Sequence, residues 1–125
     1  MSERTSSQVI RRGRLKKATQ FLDAALLIDE EMSDASVTLL VNAGIAAADV
    51  ICCVRLGKYA AGENHTEAVA LLGQAEPGLE KHLRTLLSVK SKVAYTHQSA
   101  TSGEHKKSRR AAEALVEAAR RNAVS

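Results

Sequence analysis

Between Leu39 and Val54 the only polar interruptions are Asn42 and Asp49. The spacing predicts a helix from about Asp34 to Leu56, ended near Gly57, with apolar or small side chains on nearly every side. Such a helix has no face suited to water, so other elements must wrap it. Composition says what the wrapping is. Aromatic residues make up only 2% of the chain (Phe21, Tyr59 and Tyr95, with no Trp), there is one Pro, and Ala is abundant. That argues against a sandwich or barrel and for helices packed closely through small side chains. At 125 residues the chain suits one domain with a modest core.

The remaining periodicities complete an all-α, up-and-down helical bundle of four long helices and one short one. Residues 1–8 read as a flexible polar N-terminus and 9–123 as the single domain. A first helix runs from about Gln8 to Glu31, with Leu15, Ala18, Leu22, Ala25 and Leu26 as its stripe. The acids Asp29, Glu30 and Glu31 oppose the macrodipole at its end, so the helix should stop there and Ser33 or Asp34 should cap the next. LGKYAAGENH reads as a loop. Asn64 and Glu67 resemble a capping box before a short helix that ends at Gly73. Pro77 suits the first position of a fourth helix, reaching about Ala94. Its stripe is Leu79, Leu83, Leu86, Leu87, Val93 and Ala94, and the position expected to continue it, 90, is Lys90. After the polar loop THQSATSG, a fifth helix spans about Gly103 to Ala123. Ala112, Leu115, Val116 and Ala119 face inward, and Arg109, Arg110, Arg120 and Arg121 face outward or flank the stripe.

Several chemistries have no residues to support them. The adjacent Cys52 and Cys53 point about 100° apart on a helix, which suits neither a mutual disulfide nor a shared metal. They read as reduced, buried thiols of a cytoplasmic protein. No metal-ligand spacing, P-loop or nucleophile triad appears, so neither metal nor cofactor is expected. The N-terminus lacks an apolar signal region, and no apolar run is read as long enough to span a bilayer, so no membrane partner is expected.

Polar residues on apolar stripes are the candidates for function. Asn42 and Asp49 lie seven residues apart and share a helix face. A charge inside a core is costly unless it is paired. Asp49 and Lys90 are therefore expected to meet between adjacent helices, either as a register-fixing ion pair or as the lining of a cleft; Lys90 could instead snorkel to water. Downstream, Lys90, Lys92, Tyr95 and His97 cluster at the end of the fourth helix. A cation beside a His or Tyr can hold a phosphate, and His can move a proton. The plainer alternatives are packing for Tyr95 and an exposed loop position for His97. His65 is a candidate ligand contact or a cap of the short helix, whereas His82 and His105 read as exposed. The net charge of +4 is uneven: +5 over residues 1–17, −4 over 18–103 and +3 over 104–125. Arg109, Arg110, Arg120 and Arg121 are candidate nucleic-acid contacts, or else a solvated helix face.

The segments NAGIAAAD at 42–49, Asn64-His65-x-Glu67-Ala68, and LLxxKxxxxY at 86–95 together resemble small actinobacterial proteins of the HEPN superfamily. The likeness covers about residues 18–121. It implies a helical bundle that forms a homodimer and a link to RNA cleavage or nucleotide binding in toxin–antitoxin, defence or stress systems, with an antitoxin or other protein as a further partner. In that family an Arg, a polar residue and a nearby His make a metal-independent ribonuclease site across the dimer. Here the matching place reads Lys90, Ser91 and Tyr95, or, displaced, Lys92 and His97. Lys lacks the bidentate fork of Arg, and Tyr titrates near ~10. These departures favour a binding domain over an active ribonuclease. The readings left open are binding of a nucleotide, RNA or partner protein, residual cleavage through Lys90, Lys92 and His97, and a purely structural adaptor.

Overall fold

The computed structural model describes residues 3–60 and 65–124. Five helices carry the fold: α1 (Gln8–Ile28), α2 (Ser33–Leu56), α3 (His65–Ala75), α4 (Glu80–Tyr95) and α5 (Ser102–Ala123). A 3₁₀ turn, Asp29–Met32, joins α1 to α2, and two three-residue strands, β1 (Glu3–Thr5) and β2 (Lys58–Ala60), pair antiparallel. The protein is an all-α bundle, as its periodicity predicts.

The bundle is built around α2. Its buried residues include Val37, Leu40, Val41, Ala43, Gly44, Ala46, Ala47, Ala48, Val50 and Ile51. It packs most extensively against α1 and α5, then against α4, with α3 and β2 covering its end. By length and composition α2 would pass for a membrane-spanning helix, which corrects the expectation that no such run exists. Here 72% of its apolar window is buried inside the bundle, where it serves as the core helix.

Gly44 sets how closely the core closes. A Cβ built there would collide with Leu86 Cδ1 and come 3.3 Å from Leu115 Cδ1. Leu86 and Leu115 are both fully buried, so neither has room to swing away. The missing side chain is what lets α4 and α5 approach α2 together.

Local starts and stops differ from the expectation in instructive ways. The N-terminus is not loose throughout: Glu3–Thr5 pair with Lys58–Ala60, and Ser6 N–H donates to Gly57 O. Part of the expected loop after Gly57 is thus strand. Gly57 ends α2 in the left-handed conformation, φ 72°, where glycine carries no Cβ penalty. Neither Ser33 nor Asp34 caps α2. Asp34 Oδ1 instead accepts from Ala100 N–H at 2.8 Å, fastening the loop before α5. That loop ends in a capping box at Thr101 and Glu104, spelled out in sequence as Thr-x-x-Glu but read there as loop. α3 runs past Gly73 to Ala75, and α4 begins at Glu80, three residues beyond Pro77. The Asn64 cap lies outside the described residues.

Gly44→Ala is predicted to destabilise the fold by about 1–2 kcal/mol, overpacking outweighing the gain of up to ~1 kcal/mol in helix propensity. Urea denaturation measures it; an unchanged or raised midpoint would mean the α2–α4–α5 contact is looser than described.

Candidate functional site

Lys90 does not interrupt the core. Stepping three residues from Leu86 along α4 reaches Val89, which is buried, while Lys90 stands beside the stripe and is half-buried. Its Nζ lies 3.5 Å from His65 Nε2 on α3. The expected meeting of Lys90 with Asp49 does not occur. Asp49 is 7% exposed, and its cation is Arg14 of α1, with Nε 3.5 Å from Oδ2. The Arg14 guanidinium also lies over the Tyr59 ring, 5.9 Å from its centroid.

Asn42 shares the face of Asp49 in register but is exposed. The reason is local cover: Arg14 packs over the Asp49 end. Burial outweighs the attraction of Arg14 and pushes the Asp49 carboxyl up to about 7. The same burial, with Asp49 and Cys53 beside it, pushes the Cys52 thiol up to about 12, so this is not a reactive thiolate.

The paired motifs at the end of α4 do not assemble. Tyr95 is 79% exposed and His97 is exposed on the following loop. Lys92, the cation of the displaced pair, donates to Glu104 Oε1 at 2.7 Å. That bond, with the backbone N–H of Thr101, drives the Glu104 carboxyl down to about 2. Lys92 is therefore committed to the start of α5.

A groove of about 500 Å³ lies between α3 and α4. His65 meets Lys90, and Glu80 packs where a Gly73 side chain would be, so the two helices run antiparallel. The groove consequently has His65, Thr66 and Ser91 at one end and Arg84 at the other, with Val69, Ala70 and Leu87 as an apolar floor between. Arg84 and Ser91 stand about 10 Å apart along α4 at 1.5 Å per residue. An apolar floor with a few polar groups at its ends is the usual make-up of a small-ligand site. Of the residues singled out from sequence, His65 lines this groove and Lys90 adjoins it. Ser91, the polar residue of the family-like motif, lines it as well, whereas Arg84, Thr66 and Ser88 carry no signal in the sequence.

One further correction concerns α5. His105 is 2% exposed, not solvated. Ser36 donates its hydroxyl proton to Ala25 O at 3.0 Å, so the Ser36 oxygen accepts from His105 Nε2 at 2.9 Å. This sets the tautomer at that nitrogen and ties α1, α2 and α5 together. Arg109 with Arg110 and Arg120 with Arg121 lie three turns apart, and Glu117 stands 3.9 Å from both Arg120 and Arg121. Arg110, Arg120 and Arg121 are exposed and Arg109 is half-buried, flanking the buried stripe of α5. Among the described residues, no group of three or more His, Cys, Asp or Glu could hold a metal ion.

No family model matches the chain, and no curated protein or solved structure matches it.

Asp49 binds a proton in the folded state that the unfolded chain, with its carboxyl near ~3.9, releases earlier. Its effect is thus a stability that is present below about pH 4, falls as pH rises towards about 7, and is flat above. Asp49→Asn is predicted to remove that slope and to stabilise the fold at pH 8 by roughly 1–3 kcal/mol, with little change near pH 4. Urea midpoints of both proteins at the two pH values measure this. A loss at pH 8 would show that the ion pair with Arg14 outweighs desolvation. Glu104 acts with the opposite sign, contributing above its usual range and ceasing to do so as pH falls to about 2. The comparison is therefore between variant and parent at each pH.

Proposed function

We propose that this chain is a non-catalytic, HEPN-like binding domain whose α3–α4 groove takes a nucleotide, free or as part of an RNA strand. The observation that carries the reading is the groove itself: an apolar floor of Val69, Ala70 and Leu87 with Arg84 at one end and His65, beside Lys90, at the other. A planar base suits the floor. A phosphate suits Arg84, whose planar fork makes bidentate bonds to phosphate oxygens and which has no acidic partner within 4 Å among the described residues.

The reading as a binder rather than a ribonuclease is supported by what surrounds the motif. Cleavage without a metal needs a base and a cation held together at the scissile phosphate. Tyr95, on the last turn of α4, and His97, on the loop beyond it, are both solvated, and Lys92 is bound to Glu104. Lys90 and Tyr95, five residues apart on one helix, project about 140° apart.

Adenosine monophosphate, followed by fluorescence competition or amide NMR, is expected to bind saturably with a footprint on Val69, Ala70 and Leu87. Arg84→Ala is predicted to weaken binding by about 10-fold or more, matching the ~1.5–3 kcal/mol of a charged hydrogen bond. Ala70→Trp, at an exposed position on the groove floor, is predicted to abolish it with an unchanged melting temperature. Tyr95→Phe and His97→Ala should leave it intact. Absence of saturable binding by the mononucleotide and by a short RNA would overturn the reading. RNA cleavage lost on His97→Ala would establish the enzyme instead.

A further inference from the structure

The described ion pairs use up many of the cations. Arg14 faces Asp49, Arg55 faces Glu76, Lys58 faces Glu3, Lys92 faces Glu104, and Arg120 and Arg121 face Glu117. Lys81, Arg84 and Lys107 are different. None of the three has an acidic partner within 4 Å among the described residues, yet all three line one groove of about 380 Å³ between α4 and α5.

Lys81 and Arg84 are one turn apart on α4, and Lys107 stands across from them on α5. Like charges gathered in one concavity repel, and the repulsion grows as water is displaced. The acid that could offset them, Glu104, also lines the groove, but its Oε1 already accepts from Lys92 and from Thr101 N–H. The groove therefore keeps three cations that have no ion-pair partner among the described residues, against one carboxylate already bonded to Lys92.

We propose that the α4–α5 groove is an oxyanion site that binds a phosphate group. Three cations suit a doubly charged tetrahedral anion better than a single carboxylate, which would leave most of the charge unmet. Arg84 supplies a planar fork, and the two lysines supply mobile point charges. Ser88 adds a hydroxyl with no partner among the described residues, whereas Thr85 has given its proton to Lys81 O. Arg84 and Ser88 also line the α3–α4 groove, so the two concavities meet along this ridge of α4. The site is defined by Lys81 and Lys107, which belong to this groove alone, and it stands whether or not a base occupies the other.

The test is amide NMR on the full chain at neutral pH, titrated with sodium phosphate against sodium chloride of equal ionic strength. Saturable shifts at Lys81, Arg84, Ser88 and Lys107 in phosphate only are expected. The double variant Lys81→Ala/Lys107→Ala should weaken phosphate at least ten-fold with an unchanged melting temperature. A single-stranded oligothymidylate without terminal phosphate separates the sources. Tighter binding than inorganic phosphate assigns the site to a nucleic-acid backbone; weaker binding assigns it to a free or terminal phosphate. Linear shifts equal in both salts, or saturable binding that the double variant leaves intact, would overturn the site. Ala70→Trp separates this result from the nucleotide reading, because it blocks the other groove and should leave phosphate binding here untouched.

Discussion

A helix without a polar face imposes its own surroundings. α2 is buried along most of its length, and no single partner can cover it. α1 and α5 take its two long flanks, and α4 reaches it through the gap left by Gly44. Small side chains at Ala43, Gly44, Ala46, Ala47 and Ala48 bring the backbones close, so dispersion contacts are dense although large side chains are few. α3, with only eleven residues, commits Leu71, Leu72 and Ala75 to the interior. Opposite, α4 commits Leu83, Leu86 and Val89. The outer turns of both helices then face each other with Val69 and Leu87 only partly covered. The α3–α4 groove is thus a by-product of where the core needs its cover.

Polar groups at the interior act on register more than on stability. Ser36 holds Ala25 O near one end of the α1–α2 pair, and Asp49 meets Arg14 near the other. Neutral hydrogen bonds contribute about 1 kcal/mol net. The Asp49 pair contributes less, since burial raises the carboxyl to about 7 despite Arg14. Sliding α1 along α2 by one turn would nevertheless strand both contacts at once, leaving a hydroxyl and a carboxylate buried and unmet. The cost of every wrong register is therefore larger than the benefit of the right one.

The fold was legible in the sequence because its signals are periodic and local. α1, α2 and α5 begin and end within a few residues of where their stripes and Gly57 place them. The misreadings have specific physical causes. Position 90 reads as core because it fills the gap between Leu87 and Val93, but Leu87 is itself only half-buried, and the buried seat is Val89, three residues from Leu86. His105 was placed in water because the α5 stripe was started at Ala112; carried back through Ser108 it reaches His105. The β1–β2 pairing joins segments more than fifty residues apart, and nothing local in Glu3–Thr5 or Lys58–Ala60 announces it. Of the candidate site, His65 and the neighbourhood of Lys90 were legible. Arg84 was not, because an Arg on a helix face has no distinguishing pattern until a second helix closes a groove against it.

The same limit governs the reading of charge. Paired arginines in α5 are conspicuous along the chain, but Glu113 and Glu117 lie between the two pairs, and Glu117 stands 3.9 Å from both Arg120 and Arg121. Lys81, Arg84 and Lys107 come from a region of net negative sequence and from the start of a different helix. What gathers them is the packing of α4 against α5, which follows in turn from the glycine that admits both to α2. Charge density in this protein is accordingly a property of helix packing and not of local composition. A field of one sign in a concave place is what steers an anion. The fold places that field at the ridge where Arg84 and Ser88 belong to both grooves, so the cations of one lie beside the apolar floor of the other.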